Sequence, residues 1–237
     1  MDSLSGVGVI DKSAAILEAL AERGPATLAE LVEATGISRP TAHRLAVALE
    51  AHGLVGRDER GRFRLGVRLA AWGRSAVSLS TTMLEQSADV LTALRDETGE
   101  SAQLYVREGD YRVCVAAAER PSGLRDTVPV GARLPLVAGS GGKVLLAWAD
   151  PSEWPPGTDA AVLRAVRKQG WAASVAERES GVASVSAPVP GPDGDVIAAL
   201  SVSGPIDRLG RRPGPRFAPA LVRGAATLSQ HRAPREV

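Results

Sequence analysis

The chain has 237 residues, 44% hydrophobic and 23% charged, with a net charge of +1. That length can bury the core of one large or two modest domains, and no apolar run is long enough to cross a bilayer. A single cysteine, Cys114, excludes an internal disulfide, and the opening residues lack the basic start and apolar stretch of a signal peptide, so a cytoplasmic location is expected.

Three helices are predicted first. The first runs from about Asp11 to Arg23, with Ile16, Leu17 and Leu20 on one side and Gly24-Pro25 ending it. The second follows Thr27, where Thr27 and Glu30 have the T-x-x-E spacing of a capping box and Gly36 is placed as the C-cap. After Ile37, Ser38 is expected to cap the third helix, with Pro40 tolerated in its first turn. Ala42, Leu45, Ala46 and Leu49 form its core-facing stripe, while Pro40, His43, Arg44 and Val47 repeat that spacing on the opposite side. The period then switches to two. Leu54–Arg57 and Arg62–Leu65 bracket the turn Asp58-Glu59-Arg60-Gly61 as a basic hairpin.

Helix, tight glycine turn, helix and basic hairpin make a winged helix-turn-helix. In such a unit the second helix of the turn enters the DNA major groove and its first residues reach base edges. The candidate DNA-contacting residues are therefore Ser38, Arg39, Pro40, Thr41, His43 and Arg44. The wing arginines Arg57, Arg60, Arg62 and Arg64 are expected to grip the backbone or an adjacent minor groove. Arginine counts alone decide little here, because 25 Arg against 3 Lys looks like a GC-rich coding bias. Segregation of charge is more telling. Residues 1–36 hold two basic and six acidic residues, whereas residues 37–74 hold eight Arg against three acidic residues.

A helical connector is expected over residues 67–81, with Leu69, Ala70 and Trp72 offering apolar surface to a partner chain, and a further helix over 82–97. Beyond it, two hairpins (102–107 with 111–118, and 183–189 with 195–203) alternate with helices at about 141–149, 158–169 and 216–231, which describes an α+β domain over 82–237. Gly139-Ser140-Gly141-Gly142-Lys143 is not a P-loop, since Val137 and Val144 stand where that motif needs Gly and Ser or Thr. A glycine-rich loop opening a helix still suits a carboxylate.

Gly8-Val9-Ile10-Asp11-Lys12, Thr41-Ala42-His43-Arg44-Leu45 and Gly61-Arg62-Phe63-Arg64-Leu65-Gly66 resemble the IclR family of bacterial transcription regulators. The resemblance continues through Val130–Pro135, Gly139–Ala147, Gly181–Val189 and Ala199–Pro205, over about nine tenths of the chain. Within the family, Glu100–Tyr105, Val113–Arg120 and Ser122–Gly131 are most similar to the actinobacterial NdgR-type regulators, associated with leucine and other amino-acid biosynthesis genes. The resemblance implies a winged helix-turn-helix over 1–66 and a GAF- or PAS-like effector-binding and oligomerisation domain with an antiparallel sheet.

Carried over by motif, the effector pocket would take main-chain donors from Ser140 and Gly141, an apolar wall from Leu134, and Val182, Ser184, Ser201 and Ser203 from two strands. Ser174 falls where some members place an acidic pocket residue. These residues supply hydroxyls and backbone donors but no arginine clamp, which favours a small carboxylate, oxo-acid or amino acid. The proline-rich stretch after Ala149 is shorter than the family usually shows, so the pocket is expected to be more open or rebuilt.

Catalysis is not expected. Ser184, Ser201 and Ser203 have no nearby histidine, since His43 and His52 lie in the DNA-binding unit and His231 near the terminus. No metal-ligand spacing or cofactor motif is present, and Cys114 reads as a core thiol. The expectation is a repressor working as a homodimer or homotetramer on operator DNA under a small-molecule effector. The alternative is a metabolite sensor that acts through a protein partner, its winged unit serving as a dimerisation module.

Overall fold

The computed structural model describes residues 7–76 and 81–230. The chain divides into two compact units, Met1–Val77 and Ser78–Val237.

The first unit comprises α1 (Gly8–Arg23), α2 (Leu28–Thr35), α3 (Arg39–Ala51), β1 (Val55–Arg57), β2 (Phe63–Leu65) and α4 (Arg68–Ala76). Local chemistry sets its boundaries. Thr27 and Glu30 form both halves of a capping box, the Glu30 carboxylate accepting from the Thr27 amide at 2.7 Å. Gly36 ends α2 in the left-handed region at φ 66°, which costs an L side chain energy and glycine almost nothing. Ile16, Leu20, Leu31, Ala42, Leu45 and Val55 make the core. Full burial of each larger aliphatic side chain contributes about 1.5–3 kcal/mol. β1 and β2 pair antiparallel with Gly56 opposite Arg64, and Ala26 exchanges two 2.8 Å hydrogen bonds with Phe63, adding a third strand position to the wing.

Of the connector expected over 67–81, α4 covers Arg68–Ala76 and Thr81 opens α5, while residues 77–80 lie outside the described residues. His231 also lies outside them.

The second unit runs α5 (Thr81–Thr98), β3 (Ser101–Glu108), β4 (Tyr111–Ala118), β5 (Arg133–Pro135), α6 (Ser140–Ala147), α7 (Ala160–Gln169), β6 (Ala172–Val175), β7 (Val182–Pro190), β8 (Val196–Pro205), α8 (Ile206–Leu209) and α9 (Gly214–Gln230). Its strands form one antiparallel sheet in the order β5-β4-β3-β8-β7-β6. Alternation along β3 and β8 sends Leu104, Leu200 and Val202 to one face and Gln103, Tyr105, Ser201 and Ser203 to the other. α5 and α9 cover the Leu200 face, where Leu94 and Leu200 crowd Gly224. α6 lies on the opposite face, with Gly141 close to Tyr105 and Ser201. α7 packs beside α6 through Leu163 and Val166. The two expected hairpins are present; β5 and β6, too short to carry a clear period-two signal, extend the sheet at its edges.

Candidate DNA-binding face and effector pocket

The side of α3 away from the core begins with Ser38, Arg39 and Pro40 and continues through His43, Arg44 and Val47, all exposed, with Thr41 half-buried. Arg39, His43 and Arg44 have no ion-pair or side-chain hydrogen-bond partner among the described residues. Ser38 occupies the N-cap position but does not cap. Its hydroxyl donates instead to Thr41 Oγ1 at 3.0 Å, which leaves the first-turn N–H groups without the expected internal acceptor. Lys12 from α1 borders the same concave surface as Ser38 and Thr41, a cation that the motif reading passed over.

In the wing, the four arginines differ. Arg57 donates to Glu50 at 3.0 Å and lies 4.2 Å from the centre of the Phe63 ring. Arg62 pairs with Asp58 at 2.8 Å. Arg64 donates to the Leu65 carbonyl at 3.1 Å. Arg60 alone of the four has no side-chain partner among the described residues. Arg57 and Arg62 therefore build the wing, their charges already balanced, whereas Arg60, Arg39 and Arg44, together with Arg64, which is held only by carbonyls, present unbalanced charge.

In the second unit, Ser140, Gly141, Ser174, Val182, Ser184, Ser201 and Ser203 surround one cavity on the α6 face of the sheet. Leu134 does not. It sits opposite Arg112 on edge strand β5 and packs against the neighbouring core. Buried hydroxyls run in series: Ser140 Oγ lies 2.7 Å from both Ser184 Oγ and Ser186 Oγ, and Ser186 Oγ lies 2.5 Å from Ser201 Oγ. Ser203 donates to Gln103 Oε1 at 3.2 Å.

Far from opening, the cavity is nearly closed, with about 20 Å³ of free space, room for one water molecule. The short stretch after Ala149 forms a single turn at Pro151–Glu153, and Trp154 packs on the core and donates from Nε1 to the Leu146 carbonyl at 3.0 Å. Asp159 then caps α7 by accepting from the Ala161 amide at 2.8 Å.

The expectation of a pocket without arginine is corrected by Arg112 and Arg178, which both line it. Arg112 is 3% exposed. Its Nη1 donates to the carbonyls of Pro135 at 2.5 Å and Ala138 at 2.6 Å, its guanidinium lies 5.3 Å from the centre of the Tyr105 ring, and its Nε–H is buried with no acceptor. Burial lowers its pKa, an effect that Tyr105 opposes. Arg178 is matched, donating to Asp126 at 2.6 Å and pairing with Glu179 at 3.2 Å. The amide of Gly139, the N-cap of α6, donates to Glu177 at 3.3 Å, and Glu177 also pairs with Lys143. Burial holds the Cys114 thiol up at about 12, as expected of a core thiol. His43 and His52 belong to the first unit and the pocket serines to the second.

A winged helix-turn-helix with unbalanced cations on its recognition helix, followed by a separate α+β unit, defines a DNA-binding transcription regulator. The chain belongs to the IclR family: the IclR helix-turn-helix domain matches residues 9–59, and the bacterial transcriptional regulator IclR C-terminal domain matches 76–155 and 160–230. The glycerol operon regulatory protein of Streptomyces griseus is 34% identical over 221 residues, covering 84% of this chain and 85% of that protein. The regulator BhcR of Paracoccus denitrificans is 28% identical over 98% of this chain and 89% of its own length. Among solved structures, the IclR regulator of Alicyclobacillus acidocaldarius superposes with a TM-score of 0.66 at 26% identity, over 94% of this chain and 98% of that one. An IclR homologue of Microbacterium hydrocarbonoxydans complexed with 4-hydroxybenzoate gives 0.65 at 25% identity, over 93% and 98%. Members of this family are transcription regulators and not enzymes.

Proposed function

We propose that this chain represses a metabolic operon by placing the start of α3 in the operator major groove, and that a small carboxylate in the second unit changes its operator affinity. The supporting observation is the pair of unpartnered, exposed arginines Arg39 and Arg44 flanking His43 at the recognition-helix start. Two copies would read a near-palindromic site, as a homodimer or a homotetramer, in the cytoplasm. A coupling of about 1–3 kcal/mol between effector and operator would switch occupancy several-fold to a hundredfold. The NdgR-type motifs support amino-acid biosynthesis genes, leucine among them, as targets. The relatedness to a glycerol operon regulator supports a catabolic operon as the competing target.

Fluorescence anisotropy on the gene's own upstream DNA, a leucine-biosynthesis promoter, a glycerol-operon promoter and scrambled DNA, across a salt series, tests the reading. Selective binding that falls steeply with salt is expected. Equal binding to all four DNAs would remove the assigned targets. Failure to bind any of them at low salt would replace DNA with a protein partner for the winged unit.

A further inference from the structure

We infer that Arg112 is the charge that selects the effector, a fixed buried cation that binds the carboxylate of a small oxo- or hydroxy-acid in preference to its neutral analogue. The inference rests on the reading of this cavity as the effector pocket and names the group that sets its specificity.

Of the charged side chains lining the cavity, Arg178 is matched by Asp126 and Glu179, whereas Arg112 is held by two carbonyls and Tyr105 and pairs with no carboxylate, Asp126 acting on it only at longer range. An ionised guanidinium that is 97% buried with no carboxylate partner is costly to hold. Its unsatisfied Nε–H adds to that cost. A carboxylate supplies both the missing charge and the missing acceptor, and, being larger than the one water the cavity has room for, it enters only as the lining moves outward.

The glycine-rich loop is shaped around the Arg112 side chain. A Cβ at Gly139 would stand 2.9 Å from Arg112 Nη2, and one at Gly141 would stand 3.3 Å from Arg112 Cδ. The loop carbonyl of Ala138 and the β5 carbonyl of Pro135 fix the guanidinium from the other side. Glu177 takes the amide of Gly139, the residue before α6, so at this corner of the cavity the groups left to an anion are the first amides of α6 and the one full positive charge without a carboxylate, Arg112. The remaining lining, Ser201, Ser203, Ser184 and Gln103, offers neutral donors and acceptors that suit a second oxygen on the same ligand.

Isothermal titration of the full chain with acetate, pyruvate and lactate, each beside its amide, tests the assignment, with Arg112→Gln and Arg112→Lys alongside the parent. Circular dichroism and melting curves confirm that each variant is folded. At least one of the acids is expected to bind saturably and about 10–100-fold more tightly than its amide. That preference should vanish in R112Q and return in part in R112K, which restores the charge without the planar fork. Gly141→Val pushes a side chain against Tyr105, Ser201 and the Arg112 stem, and so fills the cavity while leaving the charge in place. An acid that R112Q binds as the parent does, and G141V does not, overturns the role of Arg112 and keeps the pocket. An acid that both variants bind unchanged overturns both, and absence of saturable binding by all three acids overturns the assignment of a small carboxylate to Arg112.

Discussion

Asp126 accepts a 2.6 Å hydrogen bond from Arg178, tying the loop before β5 to the turn between β6 and β7. Both residues line the closed cavity, and Asp126 also borders a second, open hollow of about 350 Å³ with Leu124, Thr127 and Gly181. Asp126, Glu179 and Val182 border both spaces, and Arg178 holds Asp126 from the closed side.

Asp126→Asn keeps the shape of this latch and removes its charge. The unfolding free energy in urea is expected to fall by about 1–2 kcal/mol, moderated because Arg178 retains Glu179. Ligand association, followed by stopped-flow, should become faster. An unchanged rate would mean that ligands enter elsewhere.

The arginines of the first unit should separate by partnership. Arg39→Ala, Arg44→Ala and Arg60→Ala are each expected to reduce the slope of log affinity against log salt by about 0.9 if each meets one phosphate. Arg44→Ala should also cost about 1–3 kcal/mol on the true operator if it reads a base. Arg62→Ala, whose partner is Asp58, should leave the slope nearly unchanged.

Thr27→Ala breaks the capping box at the start of α2. A loss of about 1 kcal/mol in the stability of the first unit is expected, readable by urea unfolding. Its hydrogen bonds from the Thr27 amide and hydroxyl hold the Glu30 carboxyl below the ordinary value of 4.5. A lowered carboxyl stabilises the fold above the unfolded pKa, so this contribution disappears as pH falls through the folded value.

Cys114 should resist thiol reagents in the native protein. Its thiol is held at about 12 by burial, against 9.0 for a free thiol, so almost no thiolate exists at pH 8. Labelling by 5,5′-dithiobis(2-nitrobenzoate) is therefore expected only on the timescale of unfolding. Above pH 9 the unfolded chain ionises before the folded one does. Stability from this group is accordingly full below pH 9 and lost as pH rises toward 12.

The winged unit was legible because its signals are local. The capping box, the glycine after α2 and the i, i+3, i+4 stripe on α3 each lie within a few residues and act through short-range sterics and hydrogen bonds. The cavity was legible only in part. Its serines fell in quotable motifs, but Arg112 lies in a strand whose partners across the pocket are contributed by α6 and the loop before it. One signal was available: Arg112 shares its strand face with Cys114, two residues on, so a charge stood at an inward-facing position. The balance of the wing charges was also hidden, because the Glu50–Arg57 pair joins α3 to β1 and depends on how the hairpin folds back. β5 and β6 exist through their neighbours, each pairing for only three or four residues.

Ser140 donates its one proton to Ser184, so it accepts from Ser186, and Ser186 in turn accepts from Ser201. The row therefore runs one way, from Ser201 through Ser186 and Ser140 to Ser184. Its first three hydroxyls have no proton left to give, so the Ser201 end of the wall meets whatever stands in the cavity with lone pairs, and it suits a hydrogen there better than another acceptor.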